Sequence, residues 1–154
     1  MQSNTTNVVA SPLNKTPSDK VEDKLSSLVK LANEVLFETK SSSLFELFPD
    51  KITICINRIT VSYNTPFIKD ERPIPIEFIN TAHVTRGILS STLSIETFGV
   101  EKPNPIKNLK HDDARIARRF ILALVECKKS GVDFRGYPIE EIKEKLLSIG
   151  KVRE

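Results

Sequence analysis

The chain has 154 residues, 39% apolar and 28% charged, a balance that fits one globular domain with its own core and excludes a fibre or a wholly disordered polymer. Twenty-three Lys and Arg against 20 Asp and Glu leave a formal charge of +3, too mild to dictate nucleic acid or anionic lipid as a partner by itself. Residues 1–17 lack the basic and apolar segments of a secretory signal, and no run approaches the roughly 18 apolar residues of a membrane span, so the expectation is a cytoplasmic protein without an integral membrane segment.

Residues 1–15 are rich in Asn, Ser and Thr and predict a disordered tail, because they offer little to offset the entropy of ordering. Thr16-Pro17-Ser18-Asp19 reads as a helix start, with proline at the first helical position, where no hydrogen bond is given up. Val21, Leu25, Leu28, Ala32, Val35 and Leu36 then recur at steps of three and four. The spacing predicts an N-terminal amphipathic helix over 16–40 whose apolar face must be buried on something. Ser41-Ser42-Ser43 interrupts it, and Phe45 and Phe48 in the connector before Pro49 are expected to plug the core.

From Lys51 the period changes to two. Ile52, Ile54 and Ile56 alternate on one predicted strand and Ile59, Val61 and Tyr63 on the next, with Asn57 and Arg58 at a tight turn between them. Pro66, Pro73 and Pro75 punctuate the next stretch of chain, and proline in a sheet is confined to edges, ends and bulges. Arg86-Gly87 reads as a turn into a strand Thr92 to Phe98 with Leu93 and Ile95 inward, and Ile106 and Leu109 suggest a last short strand. A strongly amphipathic helix spans Asp112 to Lys129, with acidic residues in its first turn and Gly131 beyond its end. A C-terminal helix over 137–150 offers Ile139, Ile142, Leu146 and Ile149 as a narrow stripe ended by Gly150.

Chemistry-bearing residues are few. Cys55 in a strand and Cys127 on an apolar helix face read as buried core thiols, since neither has a second Cys or His at ligand spacing. His83 reads as a structural imidazole in a strand and His111 as a helix cap; Asp112-Asp113 and Glu140-Glu141 stand where the helix dipole already favours acids. Phosphate-loop, dinucleotide and HExxH patterns do not occur, so no catalytic residue, cofactor or metal is implied. The one candidate contact surface is the charged side of helix 112–129. Arg115, Arg118 and Arg119, with Lys128 and Lys129, offer anion contacts there, while Leu122 stands among them as an apolar residue that the last helix or a partner would cover.

The stretch 48–130 resembles the bacterial PH-like domains. The resemblance is carried by the hairpin Ile52 to Tyr63, by Ile74-Pro-Ile-Glu-Phe-Ile79 leading into Thr81-Ala-His-Val-Thr-Arg-Gly87, by the strand Thr92-Leu-Ser-Ile-Glu-Thr97, and by Ile106-Lys-Asn-Leu-Lys-His-Asp-Asp-Ala114 opening the helix. It also looks like short bacterial proteins of unassigned role that place this core between N- and C-terminal helices. The resemblance implies an α+β fold: a small antiparallel sheet or half-barrel capped by a C-terminal helix, with flanking helices. It further implies a non-enzymatic scaffold that presents its surface to proteins, peptides or lipids. Lipid-binding members of the wider superfamily gather several Lys and Arg around the first hairpin, where this chain has Arg58 alone. The function expected is therefore a protein-interaction module that self-associates or docks a protein partner through its terminal helices. The alternative is peripheral binding of anionic membrane or nucleic acid through Arg115, Arg118 and Arg119.

Overall fold

A computed structural model describes residues 17–42 and 47–152, so the expected tail 1–15 and the expected core plug Phe45 lie outside the described residues. The first helix, α1 (Pro17–Asn33), begins at the proline but ends seven residues before the predicted limit; Val35–Lys40 is instead a strand, β1. Val35 and Leu36 continue the helical spacing, yet Val35-Leu36-Phe37 is also a β-branched and aromatic run that suits a pleated ladder. The next strand, β2 (Lys51–Cys55), offers that ladder, with Phe37 opposite Ile54 and Thr39 opposite Ile52. Tertiary pairing overrides the local period. The apolar face of α1 is not buried as expected, because Val21, Leu25, Leu28 and Val29 stand exposed and only the last turn, through Leu31, packs on the core.

β3 (Arg58–Asn64) and β4 (Lys69–Pro75) complete an antiparallel sheet in the order β1-β2-β3-β4. The first hairpin has the expected register, Ile52 opposite Val61 and Ile54 opposite Ile59, and all four side chains are fully buried. Its turn is Ile56-Asn57, so Arg58 opens β3 rather than occupying the turn. Pro73 and Pro75 sit on β4, an edge strand, where a missing amide leaves no neighbouring ladder unpaired. Phe48 is exposed rather than a plug. Asn64 holds Pro49 and Asp50 by hydrogen bonds to the Pro49 carbonyl and from its own amide to Asp50 Oδ1 (3.1 Å), and this fixes the connector outside the end of the sheet.

A 3-10 turn, Ile76–Phe78, leads into a second antiparallel sheet of β5 (Ile79–Arg86), β6 (Ser91–Thr97) and β7 (Ile106–Leu109), in that order. Leu93 and Ile95 are buried on β6, as the alternation predicts. Helix α2 (His111–Lys129) then packs against strands of both sheets, chiefly β5 and β1. Ala114, Ala117, Phe120, Ile121, Ala123, Leu124, Val125 and Cys127 are all buried. Phe120 stacks on Phe37 with ring centroids 5.9 Å apart, which ties α2 to the first sheet. The Thr39 hydroxyl donates to Asp113 (2.8 Å) on that flank, and Arg118 Nε donates to the Ala82 carbonyl of β5 (3.2 Å) on the other.

Gly131 ends α2 with a φ of 67°, and the amide of Val132 reaches the Cys127 carbonyl (2.9 Å) while that of Gly131 reaches Lys128 (3.2 Å). This paired closure needs a left-handed residue, which glycine supplies without steric cost. The chain turns back into α3 (Ile139–Val152), whose Ile142 and Leu146 are buried where it packs on α2. Gly150 does not end this helix. It lies inside α3, where an added Cβ would overlap the backbone of Arg119, so the glycine is what lets the two helices approach.

Two outcomes test this packing. Phe120→Ala should cost about 3–5 kcal/mol of unfolding free energy, as truncation of a buried aromatic does, read from urea melts. Gly150→Ala gains about 1 kcal/mol of helix propensity but is overpacked by about 1–3 kcal/mol, so its urea midpoint should fall rather than rise.

Candidate functional site

The basic residues singled out on α2 do not form one continuous surface. Arg115 is exposed and ion-paired to Asp112 one turn earlier (2.9 Å). Arg118 is half-buried and turned toward β5 by its bond to Ala82, and Arg119 is half-buried where α3 crosses, its backbone under Gly150. Leu122 is half-buried and stands seven residues from Arg115 and four from Glu126, on the side of α2 that faces away from the sheets. Lys128 leans toward Glu77 (3.6 Å). Arg115 and Arg118 therefore face one flank of the helix, and Arg119 another.

On that first flank, between β5 and the start of α2, lies a cleft of about 190 Å³. Arg86, Arg115 and Arg118 line it together with Asp112, His111 and Ser91. Three guanidinium groups against one carboxylate leave it electropositive. Arg86 ends β5 and reaches the cleft from the sheet; the other two arginines reach it from the helix. β5 and β6 are joined beside it by the turn Gly87–Ser90, closed by a hydrogen bond from the Gly87 amide to the Ser90 carbonyl (2.8 Å). Ile88 and Leu89 at this turn are 97% and 92% exposed. Arg86, Ile88 and Leu89 escaped the sequence reading as surface features. The signal for them was two consecutive large aliphatic residues inside a segment that glycine and serines mark as a turn.

His111 is the first residue of α2 and does not cap it; Lys110 occupies the cap position, and His111 Nδ1 instead lies 2.8 Å from Ser91 Oγ. His83 is exposed on β5, with Nε2 4.0 Å from Glu96 on the neighbouring strand. Asp113 spends its carboxylate on Thr39. Cys55 and Cys127 are free and buried, and burial pushes both thiols up from their ordinary value, so they are protonated at neutral pH. Among the described residues, no group of three or more His, Cys, Asp or Glu side chains could hold a metal ion, and no helix is long and apolar enough to cross a membrane.

Comparison with known proteins gave no match to a family model, a curated protein or a solved structure.

Both thiols should react with an aromatic disulfide reagent at least a hundredfold more slowly in the native protein than in denaturant, because each needs a local opening to be reached. Fast labelling of the native chain would show either sulfur to be accessible.

Proposed function

We propose that the chain is a non-enzymatic PH-like interaction module that pairs with a second copy of itself through α1. Exposed apolar surface on α1 carries this reading. Val21, Leu25, Leu28 and Ala32 are spaced four, three and four, the spacing at which a helix buries a seam against another helix of the same pattern, and Val21, Leu25 and Leu28 are exposed. The other terminal helix offers no such seam, since the Ile142 and Leu146 stripe of α3 is already spent on α2. The PH-like reading is supported by the order of elements, four antiparallel strands, then three, then a helix packed on both sheets.

A binding role is favoured over chemistry by the state of the candidate groups. Ser91, whose hydroxyl meets His111 Nδ1 at 2.8 Å, is 2% exposed and presents almost no surface to a substrate even in the cleft it lines. His83 pairs with Glu96 on the open surface, where water competes with any proton transfer. Buried free cysteines fit a reducing compartment such as the cytoplasm.

Size-exclusion chromatography with light scattering should show a dimer that dissociates on dilution. Leu25→Glu and Leu28→Glu should each weaken pairing by about ten- to a hundredfold, the loss of a buried aliphatic side chain, while leaving the urea midpoint nearly unchanged at concentrations dilute enough that the parent chain is also a single copy, because both positions are exposed there. A chain that stays monomeric at every concentration reached would rule out the seam.

A further inference from the structure

We infer that the Gly87–Ser90 turn and the arginine-lined cleft beside it form a docking surface for an anionic membrane, with Ile88 and Leu89 entering the interface and a lipid headgroup phosphate seated among Arg86, Arg115 and Arg118. Two observations meet here. Ile88 and Leu89 are 97% and 92% exposed at the tip of a two-stranded hairpin, so they project outward rather than line a hollow. A peptide partner needs a concave apolar wall to receive its side chains, whereas a bilayer buries convex tips. The tip is rooted in the cleft itself: Arg86 immediately precedes the turn, Ser91 immediately follows it, and both line the cleft. Apolar insertion and positive charge are thus within a few residues of each other, the pairing that interfacial binding to anionic lipid requires.

The cleft suits a phosphate group on chemical grounds. Arg86 from β5 and Arg115 and Arg118 from α2 line it, and although Arg118 Nε is bonded to the Ala82 carbonyl, the terminal nitrogens of these planar groups are donors that match phosphate oxygens. Asp112 is the opposing charge, but it already lies against Arg115 at 2.9 Å and is 80% exposed, so a phosphate can take over that guanidinium while the carboxylate returns to water. The turn is held open to solvent by its own backbone. Gly87 lies so close to the Ser90 carbonyl that an added Cβ would meet it at 2.9 Å, which keeps the hairpin end tight and Ile88 and Leu89 at its apex.

The chain contains no tryptophan, so Leu89→Trp places a single reporter at the apex. With phosphatidylcholine vesicles containing phosphatidylserine, its emission should shift to the blue at low salt and return as salt rises; phosphatidylcholine vesicles alone and inorganic phosphate should produce no shift. In co-sedimentation with the same anionic vesicles, Ile88→Asn/Leu89→Asn should weaken retention of the full chain by at least about tenfold, and Arg86→Ala by about fivefold. The exposed tip variants should keep the native urea midpoint, so loss of retention is not loss of fold. Failure of the unmodified chain to sediment with anionic vesicles at low salt would overturn the inference, as would sedimentation that ignores the tip variants. Equal binding to a phosphorylated peptide or an oligonucleotide, with no shift on vesicles, would assign the cleft to a soluble partner and overturn the membrane reading.

Discussion

The burial of α2 is the constraint on which the rest of the molecule depends. The strands form two separate sheets, joined along the chain by the 3-10 turn, whose Ile76 amide bonds the Asn57 carbonyl (3.0 Å) beside the first hairpin and whose Phe78 carbonyl accepts from the Phe98 amide (3.0 Å) beyond β6, and α2 packs on both sheets. Phe120, Ile121 and Leu124 each contribute about 1.5–3 kcal/mol on full burial, whereas a hydrogen bond such as Thr39 to Asp113 contributes about 1 kcal/mol net. Apolar packing therefore supplies most of the attachment. The polar bonds on the two flanks fix the helix rotation, because a turn of the helix about its axis would break Asp113 from β1 and Arg118 from β5 together.

That rotation decides which parts of α2 remain for other purposes. Its buried arc is wider than two sheets can cover, since Ala123 and Cys127 are as buried as Ile121 and Leu124, and α3 supplies the third wall. Close approach there depends on Gly150, which brings the C-terminal helix against the Arg119 backbone. Arg119 is thereby committed to a helix crossing. Arg115 and Arg118 are carried to the opposite flank, and it is their meeting with Arg86 that makes a cleft rather than a diffuse basic face. The one ion pair Arg115 makes is a solvated pair within a helix turn, worth about 0–1 kcal/mol, and so is readily exchanged for a stronger anion.

Much of this was legible in the residues, and the gaps have physical causes. The hairpin Ile52 to Tyr63, the inward Leu93 and Ile95, and the whole of α2 follow from period alone, because each buries one regular face. β1 did not, since Val35 and Leu36 fit a helical step as well as a strand and only β2 decides between them. Gly150 has the composition of a helix stop, and its use at a crossing depends on where α2 lies, which no local pattern encodes. In sequence the basic cluster is a property of one helix, but a cleft is a relation between elements. Arg86 stands 29 residues before Arg115 and joins it only through the packing of β5 on α2.

The binding role proposed above asks for recognition at the surface rather than chemistry in an enclosed site. The arginine cleft, at about 190 Å³, falls below the roughly 300 Å³ at which pockets begin to enclose a whole small molecule, so it can hold a single anionic group while the rest of the ligand lies outside. Val84 is the one aliphatic residue that lines it, and Ile88 and Leu89 project from the turn that follows Arg86. An anion held in a shallow cleft contributes little alone, because water and salt compete for the same arginines. Two aliphatic side chains contribute little specificity alone, because any apolar surface satisfies them. In the proposed docking, where Arg86 at the end of β5 joins Arg115 and Arg118 of α2, each supplies what the other lacks: the charge selects the surface, and the entry of Ile88 and Leu89 strengthens an attachment that salt still releases.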